Sequence, residues 1–171
     1  MPSDKVASNH IDGLEQFQED SRIWIYQTNR TLTDQEVEFS KKHLDVFAEQ
    51  WTSHNKSLLA RGLVLYNRFL VIVLDERASS SASGCSIDSQ VHFIKKLGEH
   101  LQIDFMNRDL FIFMRGEDLK VVPMHSLNEE VKNGSITMND LVFDNLVKSL
   151  GQLKERWLVP LEESWHSRFV N

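Results

Sequence analysis

Leu63-Val-Leu-Tyr-Asn-Arg-Phe-Leu-Val-Ile-Val-Leu74 decides the fold. Two apolar runs, 63–66 and 69–74, flank Asn67-Arg68, the pattern of two strands closed by a tight hairpin. The second run is the longest apolar run of the chain. It is far too short to span a bilayer, which takes about 20 apolar residues.

Before the hairpin, Arg22-Ile-Trp-Ile-Tyr-Gln27 reads as another strand covered on both sides. Thr33-Asp34-Gln35-Glu36 has the capping-box pattern, and Val37, Leu44, Phe47 and Trp51 follow at helical spacing to an end near Thr52. After the hairpin, a small-residue loop leads into Ile87, Val91, Ile94, Leu97 and Leu101, again at helical intervals. Gly98 weakens that helix slightly. Leu110–Met114 and Leu119–Val122 form a second hairpin, turning at Gly116-Glu117-Asp118. The order strand, helix, strand, strand, helix, strand, plus one added strand, predicts an α+β fold with a ferredoxin-like split βαβ core.

The C-terminal third differs. Ser126–Lys132 reads as a short helix stopped at Asn133-Gly134. Leu141–Phe143 reads as a brief strand, and Val147–Trp157 as a helix interrupted by Pro160. Glu162–Phe169 is expected to form a last short helix. The expected organisation is one domain: an N-terminal arm (1–21), a ferredoxin-like core (22–123), and a helical extension (124–171) packing on that core.

Composition narrows the function. The 171 residues carry a formal charge of −6, which argues against non-specific attraction to nucleic acid or anionic lipid. One cysteine excludes an intramolecular disulfide framework and fits a reducing compartment. Met1-Pro2-Ser3-Asp4-Lys5 is not the start of a secretion signal, so a cytoplasmic location is expected. The seven histidines include no pair at the i,i+3 or i,i+4 spacing of helical zinc sites, so no metal is expected. Neither G-x-x-x-x-G-K-[ST] nor G-x-G-x-x-G occurs, and no cofactor is expected.

The candidate site lies in Ala78-Ser-Ser-Ser-Ala-Ser-Gly-Cys-Ser-Ile-Asp-Ser-Gln-Val-His92. Cys85 stands where the loop enters the helix, among backbone N–H groups that favour a thiolate. Asp88 and His92 follow on roughly the same stripe. With strands 22–27 and 69–74 as parallel neighbours, the helices after them begin at one end of the sheet. Asn29 and Arg30 then meet Ser83, Gly84 and Ser86 around a small anionic ligand. A second reading is a thiol enzyme or redox sensor, with Cys85 as nucleophile tuned by His92 or Arg30 and with Asp88 on the same stripe, although about two helical turns separate Cys85 from His92. The plain reading of Cys85 is a small buried hydrophobe. Asp75 and Glu76 at a strand end suit acid–base work or simple solvation. Trp157, Trp165 and Phe169 suit a protein-interaction surface in the extension or, as the better reading, its core.

Several phrases resemble a family of small uncharacterised bacterial proteins found mainly in Bacteroidetes. They are Trp24-Ile-Tyr-Gln27 with Arg30-Thr-Leu32, Glu49-Gln-Trp51 with His54, Tyr66-Asn-Arg-Phe69 with Asp75-Glu76, and most densely Ala82-Ser-Gly-Cys-Ser-Ile-Asp-Ser89 with Val91-His-Phe-Ile-Lys95. Leu141-Val-Phe143, Asn145-Leu-Val147, Trp157-Leu-Val-Pro160 and Ser164-Trp165 extend the resemblance over about residues 21–169. Members sometimes carry the label ABC transporter ATPase, an activity whose phosphate-binding loop this sequence lacks. Ser126–Phe143 also resembles the end of GYF-type adaptor modules, which implies peptide recognition; their opening aromatic motif does not occur here.

Overall fold

A computed structural model of the chain describes residues 11, 13–78 and 80–171. These fall into two compact units. One runs through Asn107 and takes in Lys148–Gly151; the other covers Arg108–Val147 and Gln152–Asn171. The architecture is α+β with antiparallel sheets. Among the described residues, no helix is long and apolar enough to cross a membrane.

The first unit is built on β1 (Arg22–Gln27), β4 (Leu59–Leu65) and β5 (Phe69–Asp75), with a minor hairpin, β2 (Thr52–Ser53) and β3 (Lys56–Ser57), between β1 and β4. The sheet order is β1-β5-β4. The hairpin read from the sequence is present, with its turn one residue earlier: β4 ends at Leu65, and Tyr66 belongs to the turn rather than to the strand. Tyr66 and Asn67 both take positive φ, 55° and 51°, as a type I′ turn requires. Every residue of β5 is buried, which accounts for its unbroken apolar run.

Helix α1 (Asp34–Gln50) begins with the expected capping box. Glu36 N–H donates to Thr33 Oγ1 at 3.2 Å, and Thr33 N–H donates to Glu36 Oε2 at 2.9 Å. A Cβ at Gly62 would lie 2.7 Å from Leu44 Cβ, so the glycine is what lets α1 sit close on β4. Helix α2 (Gly84–Leu101) joins the same core. Leu44, Leu70, Ile72, Leu74, Ile94 and Leu97 form one cluster, while Phe69, Val71 and Val73 on the opposite sheet face are equally buried.

The strand directions differ from the expectation. β1 and β5 pair antiparallel, with Arg22 opposite Leu74 and Gln27 opposite Phe69. The crossover through α1 brings β4 back parallel to β1. The hairpin then reverses the chain, so β5, inserted between them, opposes both. Helices α1 and α2 therefore start at opposite ends of the sheet.

Nor do the strands of 110–123 enter this sheet. β6 (Leu110–Arg115) and β7 (Asp118–Pro123) form a hairpin, turning at Gly116 with φ 60°, inside the second unit. β8 (Leu141–Phe143) pairs with β6, and β9 (Leu158–Pro160) with β8. Helix α3 (Leu127–Lys132) and helix α4 (Leu150–Arg156) lie between these strands in the chain. The segment read as an extension is thus half of a second sheet. Phe111, Phe113, Leu127, Val142 and Leu161 make its core. Trp157 is fully buried, its Nε1 donating to Asn145 Oδ1 at 2.9 Å, whereas Trp165 and Phe169 are half-buried. The expected helix at 162–169 is replaced by two short 3-10 turns, Leu161–Glu163 and Trp165–Phe169.

Candidate functional site

At the head of α2, the serines hold the helix in place. Ser83 Oγ accepts from Ser86 N–H at 3.1 Å, and Ser86 Oγ donates to Thr52 O at 2.8 Å. Trp51 Nε1 donates to Ser86 O at 2.9 Å, so the first turn is pinned to the chain that follows α1. Gly84 and Cys85 are exposed and the thiol is free. Cys85 is therefore not a packed hydrophobe. Asp88 and His92 are exposed as well, and no hydrogen bond or ion pair joins either of them to Cys85.

Asn29 and Arg30 lie elsewhere. Arg30 grips Glu36 in a two-pronged ion pair of 2.8 and 2.6 Å, and its Nη2 donates to Leu101 O at 3.4 Å. That pair, with the Thr33 N–H, lowers the Glu36 carboxyl from 4.5 to about 2. Leu101 ends α2 and Cys85 lies in its first turn, so the two loops are separated by about 24 Å of helix at 1.5 Å per residue. The expected convergence of Asn29 and Arg30 with Ser83, Gly84 and Ser86 does not occur, because β5 runs antiparallel to β1.

The strand-end acids are occupied too. Asp75 Oδ1 accepts from Arg77 N–H and Ala78 N–H at 2.9 and 3.1 Å, closing a turn. Glu76 lies 3.6 Å from Arg22. Among the described residues, no group of three or more His, Cys, Asp or Glu side chains is placed to hold a metal ion.

A concave feature of the first unit lies at the other end of α2, and Asn29 lines it. Gln102 takes a left-handed conformation, φ 56°, and two bonds close the helix: Gln102 N–H to Glu99 O at 3.3 Å and Ile103 N–H to Gly98 O at 2.8 Å. The chain then folds back under the last turn. A Cβ at Gly98 would stand 2.5 Å from Ile103 O, so only glycine admits this close return. The result is an open cleft of about 440 Å³. Ile94, Gly98, Ile103 and Phe105 give it an apolar floor, and Asn29, Lys95, Glu99, Gln102 and Asp104 a polar rim. No cysteine, serine or histidine lines it.

Arg68 was legible only as a residue at a hairpin tip, where side chains are ordinarily solvated. In the fold it is buried, with 6% of its surface exposed. Its Nη2 donates to Thr31 Oγ1 at 2.8 Å and its Nη1 to Thr28 O at 3.4 Å. Burial pushes its pKa down. The one sequence signal was its position directly before an entirely apolar strand.

No family model, no curated protein and no solved structure matches the chain.

Proposed function

We propose that the chain binds a small polar molecule in the cleft at the end of α2. The cleft carries this reading. Its volume of about 440 Å³ lies within the range of about 300–1,000 Å³ usual for small-molecule sites, and an apolar floor under a few convergent polar groups is their ordinary make-up. The carbonyl end of a helix bears partial negative charge. Glu99 and Asp104 add to it, so the cleft favours a ligand presenting hydrogen-bond donors, such as an amine, with Lys95 for an opposing group.

We read the first unit as the split βαβ part of a ferredoxin-like arrangement. Two features support this: β5 lies between the parallel strands β1 and β4, and Ser149 bridges Arg22 at the outer edge of β1.

The test is a thermal-shift scan of amino acids, amines, nucleosides and organic acids against the full chain. A ligand of the cleft raises the melting temperature and loses that effect in Asn29→Leu and Glu99→Gln. A shift surviving both substitutions, or no shift from any compound, counts against the cleft.

A second reading rests on a separate observation, the exposure of Cys85. An accessible thiol in the first turn of a helix suits a thiol-dependent function. Iodoacetamide labelling of the native protein probes it, with a Cys85→Ser control.

A further inference from the structure

Arg68 points beyond the cleft. Its backbone closes the β4–β5 turn, donating to Leu65 O at 3.1 Å, while its side chain runs inward. The guanidinium has two acceptors, both neutral, and the contact to Thr28 O is long at 3.4 Å. Nε is buried and has no partner. Among the described residues, no carboxylate pairs with Arg68. A buried cation held only by neutral acceptors is poorly compensated, since buried charges are ordinarily paired.

Nε and Nη2 lie along one edge of the guanidinium, the edge that takes two oxygens of an oxyanion in parallel bonds. Here the Thr31 hydroxyl meets the Nη2 half. Asn29, Arg30 and Thr31 are exposed, so the loop over the guanidinium is at the surface. Its backbone is tied to the hairpin independently of that hydroxyl, by Thr28 N–H to Arg68 O at 2.9 Å and Leu32 N–H to Asn67 O at 2.8 Å. The hydroxyl can therefore turn aside without releasing the loop.

We infer that the Nε–Nη2 edge of Arg68 receives a small oxyanion, a carboxylate or a phosphate, which displaces the Thr31 hydroxyl. This site is distinct from the cleft, whose lining does not include Arg68. A donor-rich ligand at Glu99 and an oxyanion at Arg68 are separately testable.

The experiment titrates sodium phosphate and sodium acetate into the full chain, with sodium chloride at matched ionic strength as reference. At least one anion should raise the melting temperature by about 2 °C or more over chloride. Phosphate exceeding acetate identifies a phosphate-bearing ligand, and the reverse a carboxylate. Arg68→Lys, which keeps the charge and loses the fork, should abolish the shift, and Thr31→Val should retain it. The Arg68 Nε–H resonance should move with the active anion in the unmutated protein, which keeps the test open if Arg68→Lys does not fold. The inference is overturned if neither anion exceeds chloride, if the shift survives in Arg68→Lys, or if the resonance stays fixed. Arg68 then only staples the loop.

Discussion

Arg30 Nη2 lies 3.4 Å from the carbonyl oxygen of Leu101, the last residue of α2. That contact fixes which end of α2 the 28–31 loop attends. It separates two features that a parallel pairing would have joined: the 28–31 loop, at the foot of the helix, and the exposed thiol at its head. Each can be tested without the other.

The cleft depends on Gly98. Gly98→Ala places a methyl 2.5 Å from Ile103 O, against backbone that cannot rotate away. Overpacking of this kind costs about 1–3 kcal/mol. Chemical denaturation should report that loss, with a melting temperature several degrees lower. A variant as stable as the parent would mean that the return at 102–105 is not as tight as described.

Cys85 should behave as a surface residue. Cys85→Ser should change stability by less than about 0.5 kcal/mol. Iodoacetamide should label the native thiol without denaturant, since Cys85 is exposed. Labelling that requires unfolding would remove the thiol reading.

His166 gives the second unit a pH dependence. Burial, with Arg168 nearby, lowers its pKa from 6.5 to about 4. The unfolded chain takes up the proton first. Stability is therefore full above pH 6.5, falls as the pH drops from 6.5 toward 4, and is lower by about 3 kcal/mol below that. His166→Phe should flatten this slope. Denaturant midpoints at pH 7, 5.5 and 4.5, for both proteins, make the comparison.

Glu36 acts in a more acidic window. Its carboxyl is lowered from 4.5 to about 2, first by Arg30 and then by the Thr33 N–H. Its stabilisation is present above pH 4.5 and is lost as the pH falls toward 2. Glu36→Gln weakens both the ion pair and the capping box, and because the pair lies at the surface the expected cost at neutral pH is about 0.5–1 kcal/mol. Helicity followed by circular dichroism from pH 5 to 2 should show a shallower acid loss in the variant.

Local signals in the sequence were legible and tertiary ones were not. The Thr33–Glu36 box and the Asn67 hairpin depend on neighbours a few residues apart, and both are formed. Strand order depends on which edge a returning strand finds. Strand 110–115 therefore could not be assigned to one sheet or another from its own composition. The candidate site divided in the same way. Exposure of Gly84 and Cys85 was compatible with a flexible small-residue loop, whereas the distance from Cys85 to Arg30 depended on the pairing of β1 with β5. The cleft itself hinges on a glutamine, Gln102, in a left-handed conformation where glycine or asparagine is the usual signal. For Arg68 the apolar strand that follows it is the one hint of burial, and a hairpin-tip position points the other way.

The most direct test of ligand binding at the foot of α2 is amide chemical-shift mapping with the compounds that stabilise the full chain. Binding as described should move the amides of Asn29, Lys95, Gly98, Glu99 and Gln102–Met106 together and leave Ser83–Ser89 unmoved. Shifts centred on Ser83–Ser89, or absent from the cleft, would contradict it.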